Sequence, residues 1–369
     1  MFHIIANSET DISNLKTMTE KNARAIRHMK VKTVKIKLPA IPPLDWQPEA
    51  VRFFVKQRPD ILIALAIPYS LTAWVLLLLG KWLKIPVLLW GHGLLKDEKG
   101  IKWLIRGTFY RLAAGHLLYG NHAKKLLIQK GLDPEKLFVI YNSLDYEKQK
   151  MISEMIQPES HSAWKKSLGI GAADPVIIFT GRLQKIKRLD LLIDAIVLVK
   201  KNHQNVHLVL IGEGPERASL ERRATVQGVG PYVHFLGELY DEEKIGLAYS
   251  YSDLCVIPAA VGLTVMHAMV YGTPVLTADK PCIHGPEVEA IVESKTGFFF
   301  RAGDVQDLAQ KIEGALFPIS KKREMAKVCK KVIADYYTPK IQEQLILEAI
   351  IQTLKKIETN KVLRETKSD

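Results

Sequence analysis

Short apolar runs alternate with longer amphipathic stretches along the whole chain. Runs at 2–6 (FHIIA), 31–38 (VKTVKIKL), 61–65 (ILIAL), 86–90 (PVLLW), 116–120 (HLLYG) and 137–141 (LFVIY) have the length and aliphatic content of strands. Between them, 49–56, 71–84, 101–114 and 123–130 carry helical patterns. A second series restarts the alternation, with strands expected at 176–181, 206–212, 232–237, 254–258, 274–278 and 297–300. Runs such as VIIF and LVLI, without polar interruption, suit strands covered on both faces. The pattern predicts an α/β fold: two mostly parallel sheets flanked by helices. The polar stretch 147–174, ending in GIGAADP, reads as the domain boundary. It gives a first domain at 1–160, a second at 161–335 and a helical segment at 336–369.

Composition narrows the class. A chain of 369 residues with 47% apolar content exceeds one typical core and suits two domains. The longest apolar run, SLTAWVLLLLG at 70–80, is too short for a membrane-spanning helix, which needs about 20 residues. It reads as a helix buried under a sheet. The start, MFHIIANSETD, lacks the basic region and apolar length of a signal peptide. Cys255, Cys282 and Cys329 show no metal-binding spacing, and they fit a reducing, cytoplasmic compartment. The net charge of +13 is uneven: residues 1–160 hold 24 Lys/Arg against 14 Asp/Glu, and the rest hold 28 against 25. A basic first half implies an anionic partner such as a membrane surface or phosphorylated acceptor, with solubility as the plainer explanation. No zinc finger or RNA-recognition signature points to nucleic acid.

Four segments carry candidate chemistry, each where a strand opens into a turn or helix. The first is GRLQKIK: Gly181 ends a strand, and Arg182 and Lys187 follow in the loop before a helix. Cations beside free N–H groups at a helix start are what a diphosphate needs. In GEGPE, Gly212 and Gly214 allow a sharp turn and close backbone approach. Arg217 stands where a dinucleotide fingerprint has its last glycine, which argues against a Rossmann dehydrogenase. Gly237 to Leu239 follow the VHF strand. The segment PAAVGLTVMHAMVYGTPV then places Gly262, Leu263 and Thr264 at a helix start, with His267 one turn on. A histidine there can donate or accept a hydrogen bond, or can be a satisfied structural residue. In the first half His92 lies between two glycines after a strand, and Asn121 and Asn142 end two more.

In this order the segments resemble the donor-binding half of a GT-B glycosyltransferase, similar to family 4, over 180–300. The resemblance implies two Rossmann-like domains facing across a cleft, and transfer of a sugar from a nucleotide-diphosphate sugar to a hydroxyl acceptor. It implies retention at the anomeric carbon and no metal or other cofactor. Arg182 and Lys187 take the catalytic role on the diphosphate, and His92 lies near the reacting centre. Gly181, Gly212, Gly214, Gly237, Gly262, Leu263, Thr264, His267, Glu287 and Glu289 line the donor. Asn121 and Asn142 are cleft or turn residues. The family's two glutamates are replaced here by Ala259 and His267, and the glycine after its lysine by Arg188. His284 or Glu287 is the candidate substitute for the first carboxylate, and Glu289 aligns with a later family glutamate.

The VGLT-x2-H sequence is similar to a subgroup of bacterial cell-surface glycosyltransferases, which implies a variant site. The implied acceptor is a glycan or lipid-linked glycan at the inner face of the cytoplasmic membrane, in polysaccharide synthesis. Two other readings stand beside it: a non-catalytic partner subunit, and, more weakly, a nucleotide-sugar epimerase of the same shape. By order, FHIIA looks like the family's second strand, followed by NSETDISN without glycine. The expectation is that the first strand and helix, roughly 30 residues, are missing through truncation or divergence. A version extended upstream is then expected to be more stable or more active.

Overall fold

The computed structural model describes residues 3–7, 27–38, 41–316 and 319–365. Contacts divide the chain into two units. One comprises 1–118, 124–138 and 347–369; the other comprises 119–123 and 139–346.

In the first unit, β1 (His3–Asn7) pairs in parallel with β2 (Arg27–Val31). The glycine-free NSETDISN stretch lies almost wholly outside the described residues. The single strand expected at 31–38 is two: β2 ends at Val31, and β3 (Val34–Leu38) forms an antiparallel hairpin with β4 (Ile41–Trp46). Sequence pattern hides β4 because Pro42 and Pro43 have no N–H to give to a ladder. The chain continues through α1 (Pro48–Gln57), β5 (Leu62–Leu65), α2 (Leu71–Leu83), β6 (Val87–Gly91), α3 (Gly100–Leu112), β7 (Gly115–Leu118), α4 (Asn121–Gln129) and β8 (Leu137–Val139). These last four strands form one sheet in sequence order, β5-β6-β7-β8. Its core joins Leu77 of α2, Leu89 of β6, Phe109 of α3 and Leu127 of α4. The Ser70 side chain caps α2 by accepting from the Ala73 N–H. Contrary to expectation, α2 is buried on one side only: Leu76 and Leu77 face inward, whereas Leu78 and Trp82 are exposed.

The second unit carries α5 (Tyr146–Met155), α6 (Pro158–Ser167), β9 (Val176–Thr180), α7 (Leu189–Val199), β10 (His207–Ile211), α8 (Arg217–Val226), β11 (Val233–Gly237), α9 (Glu242–Ser250), β12 (Leu254–Ile257), α10 (Thr264–Val270), β13 (Val275–Ala278), β14 (Gly297–Phe300), α11 (Val305–Ala315) and α12 (Ile319–Tyr336). A final helix, α13 (Pro339–Glu365), runs on from it. The six strands are parallel in the order β11-β10-β9-β12-β13-β14. That order reverses direction between β9 and β12, the doubly wound arrangement that opens a ligand crevice at the strands' carboxyl ends. Strands β9, β10, β12 and β13 are buried almost throughout, as their aliphatic runs require. Contacts divide the chain at 138/139, ahead of the polar stretch 147–174. Ile152 of α5 enters the second core, and its side chain lies against Gly246 of α9, so α5 groups with that unit.

Candidate functional site

The crevice of the second unit forms where β9 and β12 part. Gly181 leaves β9 with φ 137°, and Gly212 leaves β10 with φ 138°, values that glycine alone adopts readily. The two exit loops then pack backbone on backbone. Gly181 N–H donates to Ile211 O at 2.9 Å, Leu183 N–H to Glu213 O at 2.9 Å, and Gly212 N–H to Gly237 O at 2.7 Å. A Cβ on Gly212 would lie 2.0 Å from Gly181 O, and one on Gly214 would lie 2.3 Å from Leu183 O. The close approach expected for these glycines is therefore to a neighbouring loop. Gly237, φ 73°, serves the same stack.

Arg182 emerges from this stack exposed, with no ion pair among the described residues. Lys187 is half-buried in the turn Lys185–Lys187, and its ammonium donates to Ala260 O in the loop after β12. Burial pulls the Lys187 pKa down, while the Glu287 carboxylate works to raise it. Arg188 takes φ 53° at the start of α7, which explains why a glycine is usual there.

The loop after β12 supplies the other wall. Gly262 has open space where a side chain would stand. The N–H groups of Gly262, Leu263 and Thr264 find no backbone or side-chain acceptor among the described residues, as the first N–H groups of a helix lack an intrahelical partner. The Thr264 hydroxyl donates to Thr180 O at 3.3 Å, tying α10 to the end of β9. Its proton is thus committed to the fold, and only its lone pairs remain for a ligand.

His284 is not a substitute carboxylate. It is buried; its Nδ1 accepts from Val261 N–H at 3.3 Å and its Nε2–H donates to Ala278 O at 2.9 Å. Burial lowers its pKa, so it stays neutral and holds the loop in place. Glu287, also buried, accepts from the Asn142 amide at 2.9 Å through Oε1. Glu289 accepts from Asn121 N–H at 2.8 Å, from the Asn121 amide at 3.1 Å and from His122 N–H at 2.6 Å. Glu289 is therefore spent on the backbone start of α4, whereas Glu287 lies beside Lys187 with no hydrogen bond to its other oxygen among the described residues. His92 belongs to the first unit, exposed just past the carboxyl end of β6.

His267 is engaged by a partner that sequence reasoning missed. Its Nε2 lies 2.7 Å from Glu242 Oε1, which also accepts from the Tyr271 hydroxyl at 2.8 Å. Burial tends to raise the Glu242 pKa, but the bonds from His267, Tyr271 and Gln149 outweigh it and hold the carboxylate below its usual range. Tyr249 packs against His267 at 5.2 Å between ring centroids, and its hydroxyl bonds the Thr180 side chain at the end of β9. Glu242 sits in the first turn of α9 in the sequence YDEE, where it looks like one more acidic helix start. Among the described residues no cluster of three His, Cys, Asp or Glu could hold a metal ion.

Both halves of the chain are similar to known proteins. The model of glycosyl transferases group 1 matches residues 160–332, and that of glycosyltransferase family 4 matches 3–148. A D-inositol 3-phosphate glycosyltransferase of Nocardia farcinica is 28% identical over 206 residues, 53% of this chain and 43% of that protein. A sulfoquinovosyl transferase of Arabidopsis thaliana is 34% identical over 147 residues, 38% of this chain and 26% of that one. The matches span about half, or less, of the length of these curated relatives. Among solved structures, Anabaena HepE in complex with UDP has a TM-score of 0.68 at 22% identity, covering 82% of this chain and 81% of that one. A glycosyltransferase of Rickettsia africae reaches 0.70 at 17% identity, covering 92% and 87%. The two halves of the chain thus match two glycosyltransferase families, family 4 at 3–148 and group 1 at 160–332, and the fold is that of GT-B glycosyltransferases.

Proposed function

We propose that the chain transfers a sugar from a nucleoside diphosphate sugar to a hydroxyl of a glycan or lipid-linked acceptor. The observation that carries this reading is the convergence at one crevice of exposed Arg182, half-buried Lys187 and the N–H groups of Gly262, Leu263 and Thr264, which have no acceptor among the described residues. Cations and dipoles preset around a diphosphate stabilise the charge that grows on it as the glycosidic bond breaks. In this reading they do so without a metal. Donor sugar hydroxyls find their acceptor in the other oxygen of Glu287 rather than at Ala259. Retention of anomeric configuration, polysaccharide synthesis and work at the inner face of the cytoplasmic membrane belong to the same proposal, with His92 brought to the reacting centre. Uridine diphosphate is the first nucleotide to test, because the similar HepE binds it.

The test is calorimetric binding of nucleoside diphosphates and their sugars, followed by nucleotide release with and without acceptor. Saturable binding of one nucleotide is expected, weakened at least roughly tenfold in Arg182→Ala/Lys187→Ala. The replacement of a carboxylate by Ala259 favours one other reading, a partner subunit without turnover. Nucleotide binding by folded protein with no release from any donor would select it.

A further inference from the structure

Two neighbouring helices of the first unit turn apolar faces outward. On α3, Ile101, Leu104 and Ile105 are 76%, 64% and 52% exposed. Their spacing, i, i+3 and i+4, puts them in one stripe. On α2, Leu78 and Trp82 form a second stripe at i, i+4, with Trp82 76% exposed. Both helices also have an inner face committed to the core, where Trp74 of α2 meets Phe109 of α3 at 5.1 Å between ring centroids. The strand order β5-β6-β7 with right-handed crossovers puts both helices on the same side of the sheet. Their outer stripes therefore share one helix layer about 20 Å long.

The charge on that layer has one sign. Neither α2 nor α3 contains an Asp or Glu, whereas Lys81, Lys102, Arg106 and Arg111 lie on them and Lys99 just ahead of α3. The nearby acids are outnumbered: Glu98 is buried against Lys102 and Arg106, at 3.0 and 3.3 Å, and Asp97 is held by Lys130 with Lys99 at 4.0 Å. A solvated helix face ordinarily mixes signs. A layer with Ile, Leu and Trp between cations fits a surface that is apolar inside and anionic outside.

We infer that the outer face of α2 and α3 docks on an anionic lipid bilayer. Ile101, Leu104, Ile105 and Trp82 enter the headgroup–acyl boundary, and the lysines meet lipid phosphates. A second copy of the chain is the weaker occupant. A twofold contact sets the patch against itself, so a face rich in cations would meet another of the same sign. No described helix is long and apolar enough to cross a membrane. The inference rests on the reading that the acceptor is lipid-linked.

The experiment is co-sedimentation of the full chain with vesicles of phosphatidylcholine alone and of phosphatidylcholine with phosphatidylglycerol. Wild type and Ile101→Glu/Leu104→Glu are compared, and thermal melts and nucleotide release in solution are measured on both. Wild type is expected to bind the anionic vesicles preferentially and to be released by salt. The variant is expected to bind roughly tenfold more weakly with an unchanged melt and unchanged nucleotide release. Equal binding by both proteins overturns the inference. So does a concentration-dependent dimer that the variant disperses, without vesicle binding. Absence of vesicle binding by a protein that still turns over its donor overturns the docking face and leaves the transfer reading intact. Vesicle binding lost in the variant, with no nucleotide release from any donor, keeps the docking face and removes the transfer reading.

Discussion

Arg188 holds a left-handed backbone, φ 53°, between the Lys185–Lys187 turn and α7. A Cβ in that region crowds the following carbonyl by roughly 1–2 kcal/mol, while glycine adopts it freely but gives up more unfolded-state entropy. The guanidinium offsets little, because its pair with Asp190 is exposed on both sides. Arg188→Gly is therefore expected to stabilise the second unit by about 1 kcal/mol, read from its denaturation midpoint. A destabilised variant would mean that the Asp190 pair holds the turn. The same residue shows what a sequence conceals: its departure from the family's glycine is visible as a letter, but its strain needs the angle. Lys187 differs in this respect, since its place in GRLQKIK already implied a cation at the crevice.

The joint between α9 and α10 has two sides, and sequence reading saw one. His267 is plain at the family's glutamate position. Glu242 lies 25 residues earlier, at the start of a different helix, and only the fold brings them to 2.7 Å. The carboxylate is thus present at this joint on the opposite helix. Restoring the family residue alone, His267→Glu, would set two carboxylates within hydrogen-bonding distance and destabilise the unit by about 1–3 kcal/mol. Adding Glu242→Gln should recover most of it, as a double-mutant cycle of urea midpoints would report. Additive losses would mean that the two side chains are independent. Strands were legible where both faces are buried, because runs such as VIIF and LVLI then leave no polar position to confuse the pattern. β4 was not, because its prolines mask it. The glycines of GEGPE were legible as positions but not as causes: their space is taken by the GRL loop, a contact between segments about 30 residues apart.

The two units have separate cores, so the whole molecule answers acid in two places. In the first, His116 is buried, its pKa lowered to about 4 by burial, with Nε2 bonded to Tyr110 O at 3.1 Å. In the second, His207 is likewise held at about 4, first by burial and then by His234, whose ring nitrogen is 2.9 Å away. Asp174 faces this pair at 3.8 Å and favours the charged form, while Lys165 and Lys200 oppose it. The sign follows from proton binding. Between pH 6.5 and about 4 an unfolded histidine is protonated while these folded ones are not, so lowering pH feeds the unfolded state. Their contribution is complete above the unfolded value and drains away as pH falls towards 4. For His116 it amounts to about 3 kcal/mol. Five of the six tryptophans, at 46, 74, 82, 90 and 103, lie in the first unit, so intrinsic fluorescence reports its unfolding. The urea midpoint by fluorescence is expected to fall between pH 7 and 4.5. In His116→Gln, whose amide can still donate to Tyr110 O but cannot titrate, the fall should be distinctly shallower. Parallel pH profiles for the two proteins would show that the acid response of the first unit originates elsewhere.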